Sequence, residues 1–195
     1  EKTVNKVKKG AVPVFECMLA HDGANHEKKI NGVRLLEPKL DGVRCITIVD
    51  YESRTVVQYT RNGKVLENFS HITDGLLANI DLIGRSYVLD GEVVSRSFQD
   101  LMKQIHRKSD ARADDAVLNL FDILSLEEFE KGESKTPQRR RSEMLAEWFE
   151  VYENVMPNVE ILSHDEVDLD TEYGQKKYKE INARAVASGY EGIMI

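Results

Sequence analysis

Glu37-Pro38-Lys39-Leu40-Asp41-Gly42-Val43-Arg44 crowds a lysine, two carboxylates and an arginine around a forced turn. Pro38 fixes φ and lacks an N–H, so it belongs at a strand edge or strand start. Asp41-Gly42 is a turn signal, with Gly42 able to take positive φ at no steric cost. Apolar runs flank the turn, Val33-Arg34-Leu35-Leu36 before it and Val43 to Val49 after it. Lys39 is therefore expected on a short connection at the rim of a core, where it loses part of its hydration as a lysine nucleophile must. On its own, a Lys-x-Asp-Gly reads first as a surface lysine beside a hairpin turn, because short motifs recur by chance. The rest of the chain decides between the two.

A length of 195 residues suffices for one domain with its own core, and 41% hydrophobic with 31% charged residues excludes a disordered or fibrous chain. No apolar run reaches bilayer-spanning length and the N-terminus has no signal-peptide core, so a cytoplasmic protein without membrane association is expected. A net charge of -7 argues against coating nucleic acid by charge alone, though it permits a local basic face. Cys17 and Cys45 show neither metal-binding nor redox spacing and are expected as reduced structural thiols. The sequence opens without Met and stops inside the apolar run Gly192-Ile193-Met194-Ile195, the pattern expected of one domain of a longer chain.

Along the chain, residues 1–12 read as a basic arm and residues 12–20 as an edge strand or short element. Residues 43–50 and 55–60 are rich in β-branched side chains and predict an antiparallel hairpin. Arg61-Asn62-Gly63 then predicts a type I′ turn. Ser70 is expected to cap a helix to about Ile80. Tyr87 to Val94 predicts a strand interrupted by Asp90-Gly91-Glu92, whose acids read by default as surface groups. Residues 97–108 predict a helix with Lys103, Arg107 and Lys108 on one side, a candidate contact for a nucleic-acid backbone. Residues 117–124 predict a buried strand in which Phe121 is by default core. Thr136-Pro137 predicts a helix start. Met144, Leu145, Trp148, Phe149 and Tyr152 recur at helical spacing and are expected in the core. Arg139-Arg140-Arg141 opposes the dipole of that helix and is expected as a solvated face. Residues 159–162 predict a strand, Asp170 is expected to cap a helix to about Ser188, and residues 190–195 open a last strand.

Strand-end positions thus carry Lys39, Asp41, Arg44, Arg61, Glu92 and Glu191. Carboxylates converging with a lysine suggest a divalent ion with oxygen ligands, Mg²⁺ most simply, and the arginines suit phosphate or ribose. That set fits phosphoryl or nucleotidyl transfer. No G-x-x-x-x-G-K-[ST] is present, so a P-loop mechanism is excluded.

Lys39-Leu40-Asp41-Gly42-Val43-Arg44, Arg61-Asn62-Gly63, Asp90-Gly91-Glu92, Leu120-Phe121-Asp122 and Glu191-Gly192-Ile193-Met194-Ile195 follow one another in this order. In that order the sequence resembles the adenylation domain of ATP-dependent DNA ligases, of the small viral or bacterial type. The resemblance implies an α+β nucleotidyltransferase (ATP-grasp-like) fold of antiparallel sheets flanked by helices, with residues 1–195 as the adenylation domain and the C-terminal OB-fold domain outside this chain. It implies that Lys39 attacks ATP to form a lysine-AMP intermediate, which then serves to seal nicked double-stranded DNA. Glu37, Pro38, Lys39, Leu40, Arg44, Arg61, Glu92, Phe121 and Glu191 are the implied nucleotide contacts, with Phe121 stacked on the base. Asp41, Glu92 and Glu191 are the implied Mg²⁺ site, and a monomer is expected. Two other readings fit the same residues: an RNA ligase or mRNA-capping guanylyltransferase, and a nucleotide-binding module without turnover.

Overall fold

The computed structural model describes residues 17–95 and 114–195. The basic arm, most of the 12–20 segment and the expected 97–108 helix lie outside the described residues. Residues 17–20 run without strand pairing, so the expected edge strand does not extend through them.

Alternating apolar residues build two sheets. The smaller has β1 (Val33–Pro38) at its centre, between β7 (Asp165–Asp168) and β8 (Ile193–Met194), both antiparallel to it. The larger runs β3-β2-β4-β5-β6, from β3 (Thr55–Tyr59), β2 (Val43–Asp50), β4 (Tyr87–Val94), β5 (Val117–Ser125) and β6 (Val159–Ile161). The expected antiparallel order holds in every strand pair except β5 with β6, which is parallel. The β2–β3 hairpin pairs Asp50 with Thr55 as the sequence predicts.

The side-chain period of two divides the larger sheet into a core face and an outer face. Cys45 and Val49 of β2 and Tyr87, Leu89 and Val93 of β4 turn one way. They meet Ile72 and Leu76 of helix α1 (Ser70–Ala78) and Leu145, Trp148 and Tyr152 of helix α3 (Gln138–Tyr152). A short helix α2 (Leu126–Lys131) follows β5, held by a capping box between Ser125 and Glu128 that the sequence reading passed over. Beneath β1, Leu36 and Val167 pack on Ile181 of helix α4 (Glu172–Ala187). The intervening residues Arg44, Asp90 and Glu92 are left on the opposite face of the larger sheet.

The alternation breaks once. Asp90 pairs with Asp122 but Gly91 pairs with Leu120, so Phe121 is an extra residue without a partner. Such a bulge turns two consecutive side chains, Phe121 and Asp122, away from the apolar core.

Several local expectations are corrected. Gly42 does not take the positive φ open to it. Its lack of a side chain matters because a Cβ there would lie 2.3 Å from the Val93 carbonyl oxygen. Asn62 also keeps negative φ, so no type I′ turn forms; Gly63 alone turns over, at φ 76°, and its N–H donates to the Thr60 carbonyl. Among the described residues the three expected helix caps, Ser70, Thr136 and Asp170, are each displaced by one residue. Phe69, Pro137 and Thr171 occupy the cap positions, and Asp170 instead accepts the Gly32 N–H at 2.9 Å.

Replacing Gly42 with Ala must push the turn off β4. Urea unfolding is expected to report a loss of about 1–3 kcal/mol for Gly42→Ala. A loss within about 0.5 kcal/mol, the range of neutral surface changes, would mean that this contact does not hold the turn.

Candidate active site

Both sheets contribute to the walls of a cleft of about 1390 Å³. Glu37, Pro38, Lys39 and Leu40 line it from the end of β1, Arg44 and Glu92 from the larger sheet, Arg61 from the turn after β3, and Phe121 from the bulge. Asp41 is exposed, and neither it nor Glu191 is among the residues that line the cleft.

Lys39 is located by its backbone. Its N–H donates to the Gly192 carbonyl at 2.9 Å, and its own carbonyl accepts from Glu191 N–H at 3.3 Å. This extends the β1–β8 ladder one residue beyond Pro38 and brings the Lys39 amine into an ion pair with Glu191. The two side chains are 45% and 48% exposed, so the amine is not desolvated at a core rim as expected.

Arg44 projects from β2 onto the cleft face. Its Nε and Nη2 donate to the two oxygens of Asp90 at 2.7 and 2.6 Å, and Nη1 donates to the Met18 carbonyl at 3.1 Å. The guanidinium lies 5.1 Å from the centre of the Phe121 ring, a cation–π contact that fixes one face of the aromatic group. Phe121 is thus a half-buried wall of the cleft and not a core residue.

Burial gives the acids here unusual proton affinities. The Glu37 carboxyl is pushed from 4.5 up to about 7, by desolvation first and by the charge of Asp122 second. Glu92 also rises to about 7 because burial, helped by Asp90, outweighs Arg44, the Gly42 N–H and Lys39. Asp90 stays above the usual carboxylate range because its desolvation exceeds what Arg44 returns.

Arg139 and Arg140 are exposed, as expected of the arginine run, and only Arg141 departs from that solvated face. Arg141 is buried, with Nε and Nη2 donating to Asp122 at 2.8 and 2.9 Å. Arg139 pairs with Glu166 at the cleft rim, and Arg140 pairs with Glu143 and Glu147 on its own helix. The signal was present in the sequence, since three cations at a helix N-terminus call for anions.

Among the described residues no three His, Cys, Asp or Glu side chains are grouped to hold a metal ion. Glu191 is ion-paired with the Lys39 amine, and Glu92 is within reach of the same positive charge. One or two carboxylates completed by substrate oxygens and water is a donor set that Mg²⁺ accepts.

Residues 17–195 match the family described as ATP dependent DNA ligase domain. Over 205 residues the chain is 27% identical to the DNA ligase of Methanococcoides burtonii, covering 93% of this chain and 32% of that protein. A solved structure named Pmar-Lig_Pre is 46% identical, with a TM-score of 0.88 over 95% of this chain and 43% of its own. The bacteriophage T7 ATP-dependent DNA ligase in complex with ATP shares the fold at 20% identity, with a TM-score of 0.62 over 92% of this chain and 61% of its own. The chain therefore spans 32% and 43% of the lengths of the first two relatives.

A carboxyl whose folded-state pKa is raised binds its proton more tightly in the folded chain. Its stabilisation is complete below pH 4.5 and is lost as pH climbs through about 7. Glu37→Gln keeps the neutral form at every pH. The melting temperature of this variant is expected to gain on the wild type as pH rises from 4.5 to 8, and a difference independent of pH would contradict the raised carboxyl.

Proposed function

The chain belongs to the family of ATP-dependent DNA ligases, and on that premise we propose that it is the adenylation domain, with Lys39 as the residue that takes up AMP. The observation that carries this reading is the double backbone tie of Lys39 to Glu191 and Gly192, which holds a half-exposed amine at the edge of a cleft large enough for a nucleotide.

In this reading the Lys39 Nζ attacks the α-phosphorus of ATP, a P–N bond forms, and the bond to pyrophosphate breaks. The ion pair with Glu191 must open first, and the carboxylate in contact with the amine is placed to receive its proton. Phe121 stacks on the base while Arg44 holds its opposite face. Glu37, Pro38 and Leu40 line the base side. Arg61 would turn toward ribose and phosphates and Glu92 toward the ribose, whereas Arg44, expected with Arg61 from the sequence, has its donors on Asp90 and the Met18 carbonyl. The 5′-phosphate of a DNA nick then attacks the adenylate phosphorus and breaks the P–N bond. Attack by the 3′-OH on the activated 5′-phosphate closes the strand and releases AMP.

Glu92 and Glu191 are the residues that would hold Mg²⁺, and a bound divalent ion would offset the charge that builds on the phosphates. Asp41, expected with them from the sequence, stands apart and is left out of that pair. The nicked duplex is the nucleic-acid partner, and a monomer acting in the cytoplasm is the assembly proposed. Among the described residues no helix is long and apolar enough to cross a membrane.

Labelled ATP is expected to leave an acid-stable, amine-linked AMP on the chain, and Lys39→Ala to reduce it at least about a thousandfold, as loss of a covalent nucleophile does. An adduct that persists in Lys39→Ala would remove the assigned nucleophile. Chasing the adduct with nicked DNA or nicked RNA separates DNA from RNA joining, and labelling from GTP alone would point to a capping enzyme.

A further inference from the structure

The two sheets keep separate apolar clusters. The larger holds Cys45, Leu89, Leu145, Trp148 and their neighbours, and the smaller holds Leu36, Val167, Leu169 and Ile181. The chain crosses between these two lobes at residues 39–42, from β1 to β2, and again at residues 162–164, from β6 to β7. Among the described residues one ion pair, Arg139 with Glu166, spans the lobes.

The division runs through the proposed chemistry. Lys39 and Glu191 belong to the smaller lobe, tied together along β1 and β8, whereas Phe121, Glu92 and Arg61 line the cleft from the larger. The amine that attacks and the groups that hold the nucleotide are therefore on separate lobes, and their separation depends on the angle between the two. A misplacement of about 1 Å at reacting atoms can cost about a hundredfold in rate.

Each end of the Arg139–Glu166 pair is fastened to one of those groups. Glu166 lies on β7, in register with Leu35 of β1, the strand that leads into Lys39. Arg139 lies in the first turn of α3, and Arg141 of the same turn donates Nε and Nη2 to Asp122 at 2.8 and 2.9 Å. Asp122 directly follows Phe121 in the bulge of β5. Arg141 and Asp122 are only 8% and 7% exposed, so this buried fork makes the first turn of α3 move with the Phe121 wall. Arg139 and Glu166 are 61% and 48% exposed, and a pair so open to water can break and reform.

We propose, on the reading of Lys39 as the acceptor of AMP, that Arg139 and Glu166 are positioning residues that latch the two lobes. The pair sets the angle at which the Lys39 amine faces a nucleotide held against Phe121, and it does so without touching the nucleotide. Two members of the arginine run then act in series: Arg141 fixes α3 to the base wall, and Arg139 carries that position across to the strand beside β1.

The test measures the rate of lysine-linked AMP formation by the full chain against ATP concentration. An exposed ion pair biases a conformational equilibrium only modestly, so Arg139→Ala and Glu166→Ala are each expected to lower kcat about three- to fivefold, with KM for ATP changed less than about twofold. The double variant is expected to lose no more than either single one, and the charge swap of Arg139→Glu with Glu166→Arg to recover most of the rate. Melting temperatures are expected to stay within about 3 °C of the wild type. A distance measurement that needs no turnover accompanies the rates. Spin labels on Lys131→Cys in α2 and Lys179→Cys in α4, in a Cys17→Ser background, are expected to give a broader inter-lobe distance distribution when Arg139 is replaced. A fall in rate for Arg139→Ala with Glu166→Ala at the wild-type rate would overturn the latch and make Arg139 a direct ligand contact. Unchanged rates and an unchanged distance distribution would equally overturn it and leave the pair a surface contact. A wild-type chain that forms no lysine-linked AMP would instead overturn the reading of Lys39, and the distance distribution alone would then decide the latch.

Discussion

Two backbone hydrogen bonds, Lys39 N–H to the Gly192 carbonyl and Glu191 N–H to the Lys39 carbonyl, fix where the end of β1 lies against β8. β1 is the central strand of its sheet, so both of its edges are occupied, by β7 and β8. Three residues after Lys39, Gly42 presses against the Val93 carbonyl on the larger sheet. The eight residues from Glu37 to Arg44 therefore do more than connect two strands. They join the two sheets, and the cleft is the space that this joint leaves. The Lys39 side chain itself is half exposed, so its position is inherited from main-chain geometry and from one carboxylate, and not from packing.

The chemistry of the cleft follows from the same alternation that builds the core. On β2 and β4, every second residue enters the apolar cluster, and the residues between, Arg44, Asp90 and Glu92, are turned together to the other face. Arg44 and Glu92 are register partners, which makes their proximity a consequence of strand pairing. The bulge at Phe121 then adds what strict alternation cannot: an aromatic ring and a carboxylate from consecutive positions on one face. An arginine stacked on that ring and forked onto Asp90 locks the arrangement with two independent contacts.

Much of this was legible in the sequence. The β2–β3 hairpin, the strands at Tyr87, Val117 and Val159, and the apolar stripe of α3 follow from period and propensity. The cleft-lining residues were legible through their order along the chain. What could not be read locally was pairing across distance. Arg139-Arg140-Arg141 is one run in sequence, yet its members part into a buried pair, a surface cluster and a bridge to β7. Only the position of Asp122 decides which arginine is buried, and that depends on a bulge no single-strand pattern announces. Gly42 was recognised as necessary for the wrong reason, because a turn signal specifies conformation whereas the observed need is for space beside Val93. Asp41 was grouped with the acids as a strand-end carboxylate and by the order of the motifs, but it is exposed and outside the cleft lining.

Partly burying Glu37, Glu92 and Asp90 costs the fold stability near neutral pH, since each must either shed its charge or hold it where water solvates it poorly. The apolar cluster under the larger sheet lies on the opposite face and carries the domain independently of them. That separation lets the cleft keep groups that are imperfectly satisfied without unfolding the chain. A nucleotide that brings hydrogen-bond donors to Glu37, or a cation that shares Glu92 with Glu191, would relieve part of that cost on binding. The free energy given up in folding would then reappear as affinity, which is a physical reason for three acids to be half-buried along one cleft.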